Sequence, residues 1–202
     1  MKATLRLVCS IAALCLSMAF PASAQDWQAK EAVKTYAISG SSGIALYQSI
    51  GEKGPATSVG TRAIAHTTWD LRWSRKYEPQ ADKSCRLVSA RPIVTIIYTL
   101  PKPSAKLSGP AAGHWQTFLQ GIETHEKVHG RMIREMVDEI IATTVGLTVA
   151  DDPKCRKIRK DIELPLIAAR DAYRAKSREF DRVEMSDGGN VHRLVLALVN
   201  GG

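Results

Sequence analysis

Thr124-His125-Glu126-Lys127-Val128-His129-Gly130, at the centre of the run Trp115 to Ile141, decides how the rest of the chain is read. Its core is H-E-x-x-H. On a helix, residues four apart lie one above the other, so His125 and His129 share a face. Two imidazoles so placed can hold one Zn²⁺, and Glu126 between them can serve as general base. Chance placement of this chain's His and Glu yields the pattern in about six chains per thousand, so the surrounding residues must carry part of the argument.

They do. With Trp115 at 0° and about 100° per residue, Phe118, Ile122, Ile133, Met136, Val137 and Ile140 fall on one apolar arc. His125, Glu126 and His129 fall inside that arc, while Gln116, Lys127, Arg131, Glu135 and Asp138 fall opposite. An ionisable trio on a core-facing stripe is costly unless it is paired or holds a metal. The plainer alternative is a hydrogen-bonded pair of core histidines with an accidental Glu.

Working outward, Ser108-Gly109-Pro110 predicts the start of this helix, with Ser108 as N-cap, and Gly146 predicts its end. The N-terminal half reads as β-rich. Tyr36 to Ser39 is a short strand, Gly40 to Gly43 a turn, and Ile44 to Ile50 a helix. Arg62 to Tyr77 alternates, with Trp69, Leu71 and Trp73 on one side, and the β-branched run inside Leu87 to Leu100 is a further strand. The Trp pair reads as core or cleft wall rather than a cofactor box. Beyond Gly146, Asp151 or Asp152 is expected to cap a second helical region with Pro153 in its first turn. Pro165 should kink or split that region near Leu164. Val191 to Val199 reads as a strand or a last helical turn. The expected class is α+β: a small antiparallel sheet packed against the long helix and a second, C-terminal helical region.

The 202-residue chain divides into a leader, 1–24, and one domain, 25–202. Lys2 and Arg6, the apolar stretch Leu7 to Phe20 and Ala22-Ser23-Ala24 form the charged, apolar and cleavage regions of a secretory signal peptide. No later stretch is long and apolar enough for a transmembrane helix. The protein is expected in the periplasm or outside the cell. Losing Lys2 and Arg6 leaves 26 basic against 20 acidic residues, a net of +6. The densest basic run, Lys154, Arg156, Lys157, Arg159 and Lys160, reads as a solvated helix face or as weak contact with anionic envelope lipid or glycan. Nucleic acid is not an expected partner, because no aromatic–basic stacking motif is present. Cys85 and Cys155 survive cleavage as an even pair and are expected to form a disulfide. Closing a loop of about 70 residues, it would stabilise by roughly 4 kcal/mol in the chain-entropy description.

A catalytic zinc site needs a third protein ligand and an open position. The extended H-E-x-x-H-x-x-G-x-x-H spacing would require Gly at 132 and His at 135; Met132 and Glu135 stand there instead. Glu135 lies on the polar arc and is expected at the surface. The third ligand must come from the second helical region or just after it. Asp181, Glu184, Asp187 and His192 are the candidates. His66, in a strand and opposite Trp69, reads as a surface residue. His114 lies about three turns before His129, too far for the same ion.

In order along the chain, Tyr36-x-Ile38-x-Gly40, Gly54-Pro55, Trp69, Trp73, Cys85, Leu100-Pro101, Trp115-x-x-Phe118, the H-E-x-x-H core, Cys155 and Phe180-Asp181 resemble one set of bacterial proteins. These are the predicted secreted zinc-dependent proteases catalogued as domain of unknown function family 922. The resemblance implies an exported zinc metallopeptidase whose two cysteines pair, acting on peptide or protein substrates in the cell envelope. One departure concerns the ligands. The family pattern follows Tyr-Asp with Thr-x-His-Gly, whereas Phe180-Asp181 is followed here by Arg182 to Gly188 with no His. A ligand supplied there would be replaced by Asp187, by His192, or not at all. The alternative to a peptidase is a non-catalytic envelope protein with a structural or degenerate zinc site.

Overall fold

The structure is a computed structural model, and it describes residues 27–57 and 60–201. The leader expected at 1–24 lies outside the described residues.

Among the described residues nine elements follow in order: β1 (Lys30–Ile38), α1 (Gly43–Lys53), β2 (His66–Pro79), β3 (Cys85–Pro103), α2 (Gly109–Thr144), β4 (Thr148–Val149), α3 (Ile158–Asp161), α4 (Glu163–Met185) and α5 (Asn190–Asn200). The class is α+β, with the sheet in the N-terminal half and helices behind it, as the patterning requires. The sheet order is β1-β3-β2. β2 and β3 pair antiparallel over most of their length, with a shift in register at Lys76/Tyr77. The sheet is nonetheless mixed and not wholly antiparallel: β1 runs parallel to β3, from Lys30 opposite Thr95 to Ile38 opposite Pro103. β1 starts six residues earlier than its apolar residues indicate. Glu31 and Lys34 are polar edge residues, and backbone pairing with β3 makes the strand. β4 closes onto the start of β3 at Cys85 and Arg86.

One face of β3 is buried: Leu87, Ala90, Val94, Ile96, Tyr98 and Leu100 point at the helices. Trp69, Leu71 and Trp73 of β2 pack beside them and belong to the core margin. α2 lies across this face. Trp115, Phe118 and Ile122 join Ile38, Leu46, Leu100, Val191 and Leu198 in one apolar cluster. Ile133, Met136, Val137 and Ile140 join Val94, Ile96 and Tyr98 in another. Between the two clusters lies the stretch His125 to Gly130. Gly130 sets the helix–sheet distance there, because a Cβ at that position would come within 2.1 Å of the Tyr98 hydroxyl. The close approach brings the H-E-x-x-H turn against β2.

Ser108 is the N-cap of α2 by position, but its side chain makes no capping hydrogen bond. Gly146, at φ 94°, ends the helix and donates its N–H to the Leu87 carbonyl at 2.8 Å. The second helical region begins later than Pro153 suggests. Asp151 and Cys155 take left-handed backbone angles, φ 50° and 53°, so 151–157 is a turn. Asp152 caps from inside this turn: its buried carboxylate accepts the Arg156 N–H at 2.7 Å and the Ile158 N–H at 3.0 Å. The helix breaks at Ile162, and Pro165 then stands in the first turn of α4, where a missing N–H costs nothing. The tail is an 11-residue helix, α5, which packs Val191 and Leu198 into the first cluster. Cys85 and Cys155 form a disulfide, seated among Leu87, Ala90, Ile158 and Ile162. All five residues of the basic run are exposed; Arg159 lies over the Tyr77 ring at 4.2 Å and donates to the Cys155 carbonyl. No helix of the described residues is long and apolar enough to cross a membrane.

Candidate metal centre

The three ionisable residues of the H-E-x-x-H turn are buried: His125, Glu126 and His129 are 4%, 5% and 7% exposed. α4 crosses α2 and brings Asp181 over the two rings. His125 Nε2 and His129 Nε2 lie 3.2 Å apart, and Asp181 Oδ1 lies 3.2 Å from the first and 2.9 Å from the second. Three lone-pair atoms thus form a triangle. Donors bound at about 2.0–2.1 Å to one tetrahedral ion would be separated by about 3.3 Å, so the triangle has the size of a three-ligand face. Among the described residues, these three side chains form the cluster of potential metal-ligating atoms.

The imidazoles are oriented from behind. Ser177 Oγ sits 3.1 Å from His129 Nδ1; where it accepts from that nitrogen, the N–H lies on Nδ1 and Nε2 is free to face a metal ion. His125 Nδ1 is buried with no hydrogen-bond partner. A carboxylate oxygen of Glu184 stands 3.6 Å away, too long for a hydrogen bond but close enough to act through its charge. Phe180 stacks on the His125 ring at 4.7 Å and meets His129 edge-on at 5.4 Å. Ser177, Phe180, Asp181 and Glu184 all belong to α4, at spacings of three and four that put them on one face.

Glu126 is held by the sheet. Thr67 of β2 donates its hydroxyl to Glu126 Oε2 at 2.5 Å. That leaves Oε1 as the free acceptor of a buried carboxylate next to the triangle. The electrostatics follow from this crowding. Burial alone would raise the Asp181 carboxyl, but hydrogen bonds to the two histidines and their charge bring it down to about 2. Burial works against charge on His125, yet Asp181, Glu126 and Glu184 together raise its pKa. A site that draws a proton into a ring of acceptors in this way is one that a divalent cation can occupy in the proton's place.

Of the four third-ligand candidates, the geometry brings in Asp181. Glu184 backs His125. Asp187 and His192 are corrected out of the site: Asp187 is fully exposed, the two lie 3.9 Å from each other, and His192 Nδ1 accepts the Gly188 N–H at 3.0 Å. Their chain positions follow the end of α4, where the backbone turns away towards α5. His114 lies beside Gly201, remote from the triangle. Glu135 is exposed and pairs with Lys176. His66 is exposed, as its strand position requires, but it stands on the wall of the cleft. Thr67 and Ser177 carry no signal of their own in the sequence. Ser177 stands four residues from both Tyr173 and Asp181 on one helix, a spacing that shares their face but acquires meaning only once Asp181 is placed at the site.

The triangle opens on a cleft of about 540 Å³, walled by Thr57, Arg62, His66 and Thr67 on one side and by Tyr173 and Met185 on the other. A mixed sheet carrying three convergent donors on an H-E-x-x-H helix and its crossing partner defines a protein with a candidate metal centre. Residues 33–189, more than three quarters of the chain, match the family described as "Bacterial protein of unknown function (DUF922)". The chain belongs to that family, whose description assigns no activity. No curated protein and no solved structure matches it.

Proposed function

We propose that the protein is an exported zinc-dependent peptidase in which His125, His129 and Asp181 hold the ion and Glu126 moves the proton. The observation that carries this reading is the triangle of Nε2, Nε2 and Oδ1 atoms with a second carboxylate, that of buried Glu126, beside it. Two imidazoles and one carboxylate are a donor set of hydrolytic zinc sites. The same set suits iron(II). Glu126, a base with no coordinating task, favours the hydrolytic ion.

A bound Zn²⁺ supplies Lewis acidity, polarising a carbonyl and bringing the pKa of a water towards about 7. The remaining work falls to the chain. Thr67 pins Oε2, so Oε1 of Glu126 accepts the proton of the attacking water. The new C–O bond forms as the scissile C–N bond weakens, and Oε1 returns the proton to the leaving amine. Ser177 and Phe180 hold the imidazoles in place throughout. Export is supported by the leader pattern and by the disulfide, a bond that persists in oxidising compartments. The substrates are peptides or proteins of the envelope, and the exposed basic run offers weak contact with its anionic surface.

Elemental analysis of the purified protein should give one zinc per chain. Glu126→Gln should keep that zinc and lose about 10²–10⁴-fold in peptide hydrolysis. His129→Ala and Asp181→Ala should each lose the metal at neutral pH. Full activity in the Glu126 variant, or unchanged zinc in the other two, defeats the assignment. Zinc without hydrolysis of any peptide would leave a non-catalytic envelope protein with a structural ion.

A further inference from the structure

The cleft wall opposite α4 is a small hairpin, and its construction bears on what the cleft holds. Pro55 accepts the Ala63 N–H at 2.9 Å, Thr57 donates its N–H to the Thr61 carbonyl at 2.9 Å, and Ala56 bridges to Arg62. The Thr57 and Thr61 hydroxyls meet at 2.8 Å. Gly54 permits the fold-back, because a Cβ there would lie 2.2 Å from the Ala63 carbonyl oxygen.

The hairpin presents Arg62. Its Nη1 donates to the Gly54 carbonyl at 3.0 Å, which fixes the guanidinium while most of its donors stay uncommitted. Among the described residues Arg62 forms no ion pair, and no other Lys or Arg lines the cleft. The carboxylates on the same lining, Glu126 and Asp181, are already engaged by Thr67 and by the histidines. An anchored, unpaired guanidinium in a cleft is suited to a planar carboxylate, which it can bind through two parallel N–H bonds.

We propose that Arg62 receives a carboxylate of the bound peptide, so that the cleft selects substrates carrying an acidic side chain or a free C-terminus beside the bond presented to the metal centre. The proposal rests on the peptidase reading for the identity of the ligand as a peptide and for its placement at the metal centre. Side chain and C-terminus present the same chemistry, and the two are separated by the peptides chosen.

The test is equilibrium binding of fluorescent peptides to the zinc-loaded Glu126→Gln protein, followed by anisotropy. Four peptides suffice: neutral with an amidated C-terminus, neutral with a free C-terminus, and amidated peptides with a central Asp or a central Lys. At least one carboxylate-bearing peptide should bind fivefold or more tighter than the neutral amide. Arg62→Gln should erase the difference, and Arg62→Glu should shift preference to the Lys peptide. Zinc stoichiometry in each variant shows that the site is intact. A preference below fivefold, no binding of any peptide, or a preference that survives Arg62→Gln overturns the proposal. Arg62-dependent discrimination in a protein whose wild type hydrolyses none of these peptides would defeat the hydrolytic reading alone.

Discussion

The two regions where distant parts of the chain are tied together do so by different chemistry. At one, Cys85 at the start of β3 and Cys155 in the turn before α3 are joined covalently inside an apolar cluster. At the other, α2 and α4 meet through His125, His129 and Asp181, and that meeting interrupts the apolar packing of α2 between its two clusters. The first tie is complete once oxidised. The second gathers acceptors that repel one another until a proton or a metal ion sits among them. Structural and chemical roles are thereby separated: the cysteine end holds the scaffold, and the histidine end holds a site whose integrity depends on what occupies it.

The comparison breaks most visibly at the covalent end. Replacing both cysteines by alanine should cost roughly 4 kcal/mol in urea unfolding, by the loop-closure argument. Zinc stoichiometry in the folded variant should not change, because neither Cys85 nor Cys155 belongs to the triangle. A loss below about 1 kcal/mol would show that Leu87, Ile158 and Ile162 hold this end without the bond.

The next effect in size belongs to the other end. Stripping the ion with a chelator, disulfide intact, should destabilise by about 3 kcal/mol relative to a metal concentration a hundredfold above the dissociation constant. In Asp181→Asn the same chelator should move the thermal midpoint little. Equal shifts in the two proteins would remove Asp181 from the ligand set.

The smallest effect lies between the two ends and depends on pH. Glu31 of β1 accepts from Tyr98 at 3.0 Å and pairs with Arg134 of α2. Burial tends to raise its pKa, but these partners bring it below the ordinary glutamate range. A carboxyl depressed by folding contributes stability above its unfolded pKa, and loses it as pH falls through the folded value. Glu31→Gln should therefore be slightly less stable than wild type at pH 7, with the gap closing as pH drops below the ordinary carboxylate range. A gap that persists in acid would assign the loss to packing rather than charge.

Much of this was legible in residue order, and the reasons divide cleanly. α2 was readable because its apolar arc and its H-E-x-x-H turn are local patterns, and β2 because Trp69, Leu71 and Trp73 alternate. The parallel direction of β1 was not, since nothing in Lys30 to Ile38 records which strand it will lie beside. Asp181 could only be placed in a group with Glu184, Asp187 and His192. It sits 56 residues from His125 in a helix rich in charge, and only the crossing of α4 over α2 separates a donor from its solvated neighbours. Thr67 and Ser177 were invisible for the same reason: a hydroxyl acquires a role from what it touches.

α4 is 23 residues long and has a single buried residue, Ala169. Hydrocarbon contributes little to seating its C-terminal half; Ser177, Phe180, Asp181 and Glu184 do so by gripping two imidazoles. An ion held by His125, His129 and Asp181 would act as a clasp between the two helices. A chain emptied of metal would keep its sheet and its long helix while the end of α4 came loose, exposing the cleft along one whole side.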